Sequence, residues 1–268
     1  MGKNRKRFTY LILDNPIHRN GLFSIFTMVL GLLKMYDTGQ CTGCEVNFEN
    51  KGVYYDETFG LNWWEYYFEP IKLGNKNGII KKIGNNQKIK LSSQCEYNTS
   101  RDQNHIYIEK YIHLKPHILE KIKQFKDTYF TEHMIGVHYR GTDKVIEAPR
   151  IPYESVFEKI NYILQTSTDS HLYKIYIATD EQSFLEYMKE QFHEKIVFLK
   201  GIFRSSNNNN KPVHHLETNM NYKKGEEAIL DCILLSHCDI LIRTSSNLSL
   251  ISTFFNNLMP VIELSTRY

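Results

Sequence analysis

From residue 134 onward, short apolar runs alternate with segments of helical length. The runs are "MIGVHY" (134–139), "KIYIAT" (174–179), "KIVFL" (195–199), "DILIRT" (239–244) and "MPVIEL" (259–264). Helical patterns fill the intervals at 153–164, 182–192, 225–238 and 247–255. A strand that is apolar along its whole length, not on alternate residues, is buried on both faces. It therefore belongs in a parallel sheet with helices on either side. This pattern predicts an α/β fold in which residues 126–268 form a doubly wound, Rossmann-like domain. Ligands of such sheets bind outside the carboxyl ends of the strands, where the strand order reverses.

Residues 1–125 are expected to form a second, N-terminal α/β domain. "RFTYLIL" (7–13) reads as a strand, "DNPIHRNG" as a turn with Pro16 and Gly21 as breakers, and 21–37 as a buried helix. "NWWEYYFEPI" (62–71) is either a hydrophobic anchor or an aromatic platform for a sugar or base, and 74–90 is either a hairpin or an exposed loop. The middle of the chain is otherwise irregular, up to a helix predicted at 116–129.

Composition narrows the function classes. Of 268 residues, 41% are apolar, enough for a sizeable core, and the net charge of +3 is far from that of a nucleic-acid binder. "KNRKR" (3–7) reads as a solvated terminus. No apolar stretch is long enough to span a membrane. The apolar run 22–33 lacks a signal-peptide cleavage site. Five cysteines without a secretory signal argue against a disulfide framework, and "CTGC" (41–44) has no partner pair to complete a zinc site. A cytoplasmic setting is the expectation. "SSNNNNKPVHHLETN" (205–219) reads as a surface loop.

Three predicted strand ends carry polar clusters. The first holds His138, Arg140, Thr142, Asp143 and Lys144, with Glu147 shortly after. The second holds Thr179, Asp180 and Glu181. The third holds Thr244, Ser245, Ser246 and Asn247, and it also opens a helix. A helix opened by Ser or Asn turns backbone N–H groups and the positive end of its dipole outward, which suits a phosphate. An arginine grips phosphate oxygens in a planar fork. Arg140 with the N–H groups of the 247–255 helix makes a diphosphate site that needs no metal. An Arg140–Asp143 ion pair and a simple N-cap are the structural alternatives.

"IGVHYRGTDK" (135–144) resembles the first conserved peptide of the α1,2/α1,6/protein O-fucosyltransferase superfamily, roughly His-x-Arg-Arg-Thr-Asp-Lys. "YKIYIATDE" resembles the second peptide and "ILDCILLSHCDILIRTSSNLSLI" the third, in the same order and spacing. "NGLFSIFTMVL" is similar, more weakly, to the N-terminal glycine turn and helix. The likeness is greatest to the α1,6-fucosyltransferases, including the nodulation enzymes. It implies a GT-B architecture of two α/β domains facing a cleft, with GDP-fucose as donor, a glycan or related hydroxyl as acceptor, inversion at the anomeric carbon and no metal or other cofactor. By position, Arg140 would neutralise the β-phosphate. His138 and Asp231 would contact guanine. Asp180, Ser245, Ser246 and Asn247 would line the nucleotide site, and Gly21 would let the backbone approach the donor. Glu147 is the candidate general base, with Lys144 holding it ionised and Asp143 and Asp180 as runners-up. Two features depart from the pattern. Gly141 stands where the α1,6 enzymes have a second arginine, and Glu147 lies one residue nearer the motif. They leave room for two other readings: a non-catalytic nucleotide-sugar or glycan-binding protein, and a GT-B enzyme with another donor.

Overall fold

The computed structural model describes residues 9–14, 21–50, 52–83, 100–141, 150–201, 204 and 220–264. The chain divides into two compact units, Met1–Lys115 with Met220–Tyr222, and Pro116–Asn219 with Lys223–Tyr268. The division falls after Lys115 and not after residue 125, so the helix predicted at 116–129 stays whole in the second unit. Among the described residues no helix is long and apolar enough to cross a membrane.

The first unit is built on a four-stranded sheet of β1 (Thr9–Leu13), β2 (Gly43–Val46), β3 (Lys72–Gly74) and β4 (Ile79–Ile83), in the order β3-β2-β1-β4. β1 is parallel to both neighbours, and β3 is antiparallel to β2. Of the 74–90 stretch, residues 84–90 lie outside the described residues, and Ile79–Ile83 form an edge strand on β1. β3 and β4 lie on opposite edges of the sheet, because the chain crosses over after Gly74 to pair Ile79–Ile83 with β1. Helix α1 (Leu22–Asp37) is apolar nearly all round and buried through its first three turns, as such a helix must be. Its first backbone N–H, at Leu22, donates to the Tyr54 hydroxyl at 2.8 Å.

Trp63 and Trp64 are fully buried, stacked on Phe48 and Phe68 with ring centroids 4.9 and 4.3 Å apart. They form a core anchor and present no open platform. Cys41 and Cys44 are free and buried, and burial raises the Cys44 thiol pKa to about 12, so it stays protonated and inert. Helix α2 (Arg101–Tyr111) was not legible in the sequence. It is polar, and only Asn104, Tyr107 and Ile108 turn inward.

In the second unit, five strands form an entirely parallel sheet: β5 (His133–Tyr139), β6 (Tyr173–Thr179), β7 (Ile196–Val197), β8 (Ile240–Arg243) and β9 (Val261–Glu263). The order is β7-β6-β5-β8-β9. The chain leaves β5 first toward β6 and β7, then returns to add β8 and β9 on the other side. The order therefore reverses at β5 and β8.

Helices cover both faces: α3 (Pro116–Tyr129), α4 (Tyr153–Thr166), α5 (Gln182–Phe192), α6 (Asn221–Ser236) and α7 (Asn247–Phe255). Ile135, Val137 and Tyr139 point to one face, where Val156 and Ile160 of α4 and Phe184, Leu185 and Met188 of α5 meet them. Gly136, His138 and Tyr176 point to the other. There, Phe125 of α3 meets the Tyr176 ring edge-on at 5.8 Å. These two α/β units, each with parallel strands, are the components of a GT-B architecture.

Gly136 sits under a close approach of the C-terminal end of α6 to the sheet. A Cβ there would lie 3.1 Å from Cys238 Sγ and 3.3 Å from Leu235 Cδ2. Gly136→Val is expected to destabilise the protein by ~1–3 kcal/mol through overpacking, and Gly136→Ala by less. Urea-unfolding midpoints check this; an unchanged midpoint in the valine variant would contradict the packing.

Candidate nucleotide-binding site

The carboxyl ends of β5 and β8 are tied together by one residue, Thr244. Its backbone N–H donates to the His138 carbonyl at 3.0 Å, and its Oγ1 accepts from the Arg140 N–H at 2.9 Å. This stitch holds the first polar cluster against the third at the place where the strand order reverses. The second cluster joins through Asp180, at the end of β6. Asp180 Oδ1 accepts from the Gly141 N–H at 3.2 Å, and Oδ2 lies 3.6 Å from Arg140 Nε. One carboxylate thus orients both the arginine side chain and the backbone behind it. The Arg140 side chain remains 22% exposed, so its guanidinium is held without being sealed off.

The third cluster is rigid. Ser246 caps α7, its Oγ accepting from the Leu248 N–H at 3.3 Å. Arg243, 5% exposed, lies beneath the turn: Nη2 donates to the Ser246 carbonyl at 3.1 Å, Nε to Ser249 Oγ at 3.1 Å, and Nη1 to Glu263 at 3.2 Å. Ser245 and Ser246 are buried in this turn, and Asn247 begins the helix. The positive end of the α7 dipole therefore opens beside the strand end that carries Arg140.

On the α6 face of the sheet, Asp231 is buried and accepts from the Tyr176 hydroxyl at 2.5 Å. Burial raises its pKa to about 7, and Glu227 pushes the same way, against the opposing Tyr176 bond and the Arg204 charge. His138 lies on the same face, one pleat along the neighbouring strand. Its ring is buried, and Nδ1 has no partner among the described residues. Burial, together with the Arg140 and Arg243 charges, lowers its pKa to about 3, so it is neutral at physiological pH.

The remaining expectations fall elsewhere. Gly21 caps α1 in the first unit with φ −61°, a conformation open to any residue, so backbone strain does not explain the glycine. Asp143, Lys144 and Glu147 lie outside the described residues. No group of His, Cys, Asp or Glu among the described residues is placed to hold a metal.

Sequence reasoning overlooked Arg243, Tyr176 and the role of Thr244. A buried arginine ending an apolar strand was the available signal for the first, and a tyrosine within an Ile-rich strand for the second. Thr244 stood in the third cluster without a role assigned to it.

An all-parallel sheet with polar groups gathered at its switch point defines the class: a Rossmann-type α/β unit. Solved structures with this fold include NodZ α-1,6-fucosyltransferase soaked with GDP-fucose, at 16% identity and TM-score 0.64, covering 96% of this chain and 94% of that one. A mutant of Arabidopsis thaliana FUT1 in complex with GDP matches at 9% identity and TM-score 0.54, over 97% of this chain and 71% of that one. POFUT1 in complex with GDP matches at 10% identity and TM-score 0.51, over 96% and 98%. No protein-family model and no curated protein sequence matches the chain. The fold is the one these fucosyltransferases share.

The two buried titrating groups bias stability in opposite directions. Asp231 has a folded pKa above its unfolded value, so its contribution is full below about pH 4 and is lost as pH rises toward 7. His138 has a folded pKa below its unfolded value, so its contribution is full above about pH 6.5 and is lost as pH falls toward 3. In the native protein the two slopes offset each other between those limits. Asp231→Asn is expected to unmask a loss of stability on acidification from pH 6.5 to 4.5, and His138→Gln a loss on raising pH from 4.5 to 7. Urea midpoints across that range check both signs.

Proposed function

We propose that the protein is an inverting glycosyltransferase that moves fucose from GDP-fucose to a hydroxyl of a glycan or related acceptor. The observation that carries this reading is the Thr244 stitch, which keeps Arg140 beside the N-terminal end of α7. In this reading Arg140 and the α7 amides grip the diphosphate. Negative charge builds on the β-phosphate as the glycosidic bond breaks. Fixed positive charge aimed at that oxygen stabilises the transition state more than the bound substrate. The guanidinium and the helix dipole supply this charge, so the reading requires no metal.

Asp180 positions the arginine and does not itself need to titrate. It is a weak candidate for the base, since its oxygens already serve Arg140 and the Gly141 N–H. Glu147 is proposed as the group that takes the acceptor's proton while its oxygen attacks C1 of fucose from the face opposite GDP. Lys144 is assigned to hold that carboxylate ionised, and Asp143 is the alternative base. Asp231 and His138 are assigned to guanine. A neutral His138 offers a ring nitrogen to the base, and Asp231 accepts from the guanine N1 and N2 edge once ionised. The Tyr176 hydroxyl fixes the Asp231 carboxylate in place. The three fucosyltransferases of this fold support the choice of donor; two are described with GDP and one with GDP-fucose.

Two variants separate binding from chemistry. Arg140→Ala is expected to abolish transfer and to remove most of the thermal stabilisation that GDP confers, while leaving the melting temperature without ligand close to that of the parent. Glu147→Gln is expected to keep GDP binding and lower turnover about 10²–10⁴-fold. Fucose release from GDP-fucose and melting shifts with GDP and UDP provide the readouts. A larger shift with UDP than with GDP would overturn the guanine assignment.

A further inference from the structure

The end of β6 organises a second arginine. Asp180 and Glu181 are consecutive, and each engages a guanidinium: Asp180 that of Arg140, and Glu181 that of Arg150. We propose that Arg150 is a second anion-binding cation of the same site and that it contacts the diphosphate of the bound nucleotide. This inference rests on the donor reading above.

Three observations support it. First, Glu181 is fixed. Its side chain is 9% exposed, and Oε1 accepts from Arg150 Nη2, from the Tyr153 hydroxyl and from Ser183 Oγ at 3.0 Å. Second, its other oxygen, Oε2, occupies the space into which a side chain at position 141 would project. A Cβ on Gly141 would overlap it outright and would also crowd the Tyr139 ring at 2.9 Å. The glycine admits the glutamate to the strand end, and the glutamate anchors Arg150 immediately beside the Arg140–Gly141 backbone. Third, the anchoring consumes little of the arginine. Arg150 Nη2 donates to Glu181 and to the Tyr153 hydroxyl at 3.0 Å, and the guanidinium lies over the Tyr153 ring at 5.6 Å. Its side chain is still 51% exposed. A guanidinium has five N–H donors, so Nη1 and Nε remain to meet an anion while Nη2 holds the carboxylate.

Each arginine is neutralised by its own carboxylate. An arriving diphosphate can meet the free edge of Arg150 without displacing Glu181. Glu181 is then a positioning residue, and Arg150 is the one that touches substrate.

Calorimetric titration of the full chain with GDP and with guanosine tests this, because only GDP carries the diphosphate. Arg150→Ala is expected to weaken GDP about ten- to a hundredfold, the range of a charge-assisted contact. Guanosine affinity should stay within about twofold of the parent. Arg150→Lys, which keeps the charge without the fork, should fall in between and guards against a folding defect in the alanine variant. Glu181→Ala should weaken GDP in the same selective way. The proposal is overturned if the alanine variant binds GDP as the parent does while Arg140→Ala does not, or if GDP and guanosine weaken together. A parent protein that binds no GDP would instead remove the donor reading itself, and this inference with it.

Discussion

Thr244 makes two hydrogen bonds on which the rest of the site depends. Parallel strands pair along their length, but the chain beyond each strand end is free to splay unless something holds it. Here the Thr244 N–H donates to the His138 carbonyl on β5, and its hydroxyl oxygen accepts from the amide of Arg140. The two polar ends at the switch point thereby become a single rigid edge. Arg243 does the same from below, bracing the turn that opens α7 with three donors on three acceptors. A buried arginine is costly unless its hydrogen bonds are made, and these are.

Around that edge the acids act as scaffolding. Asp180 orients Arg140, Glu181 orients Arg150, and Asp231 is itself oriented by Tyr176. Two adjacent carboxylates at one strand end thus partly neutralise two arginines. The departure at Gly141 acquires a physical meaning in this setting. The position is small because Glu181 fills it, so the missing side chain is part of the design of the strand end.

Much of the second unit was legible because burial on both faces leaves a strong pattern. β5, β6, α5 and α7 fall where uninterrupted apolar runs and caps place them, and α3 begins at Pro116, as its sequence suggests. The first unit was harder. α2 buries only three residues and carries no apolar stripe, and β3 and β4 are short and exposed, so nothing in their composition reveals a crossover. The strand-end clusters were visible as residue types. The Thr244 stitch and the Glu181–Gly141 contact were not, because the first joins residues far apart in the chain and the second depends on the absence of a side chain. His138 and Asp231 were readable as a pair through resemblance alone. The structure adds that they share one face of the sheet and that burial shifts both toward the neutral form.

The most direct test of this account is a crystal structure of the protein with GDP. The β-phosphate is expected within hydrogen-bonding distance of the Arg140 guanidinium and of the backbone N–H groups at Ser246 and Asn247, at the carboxyl ends of β5 and β8. A nucleotide bound away from that strand edge, out of reach of the Arg140 guanidinium, would contradict it.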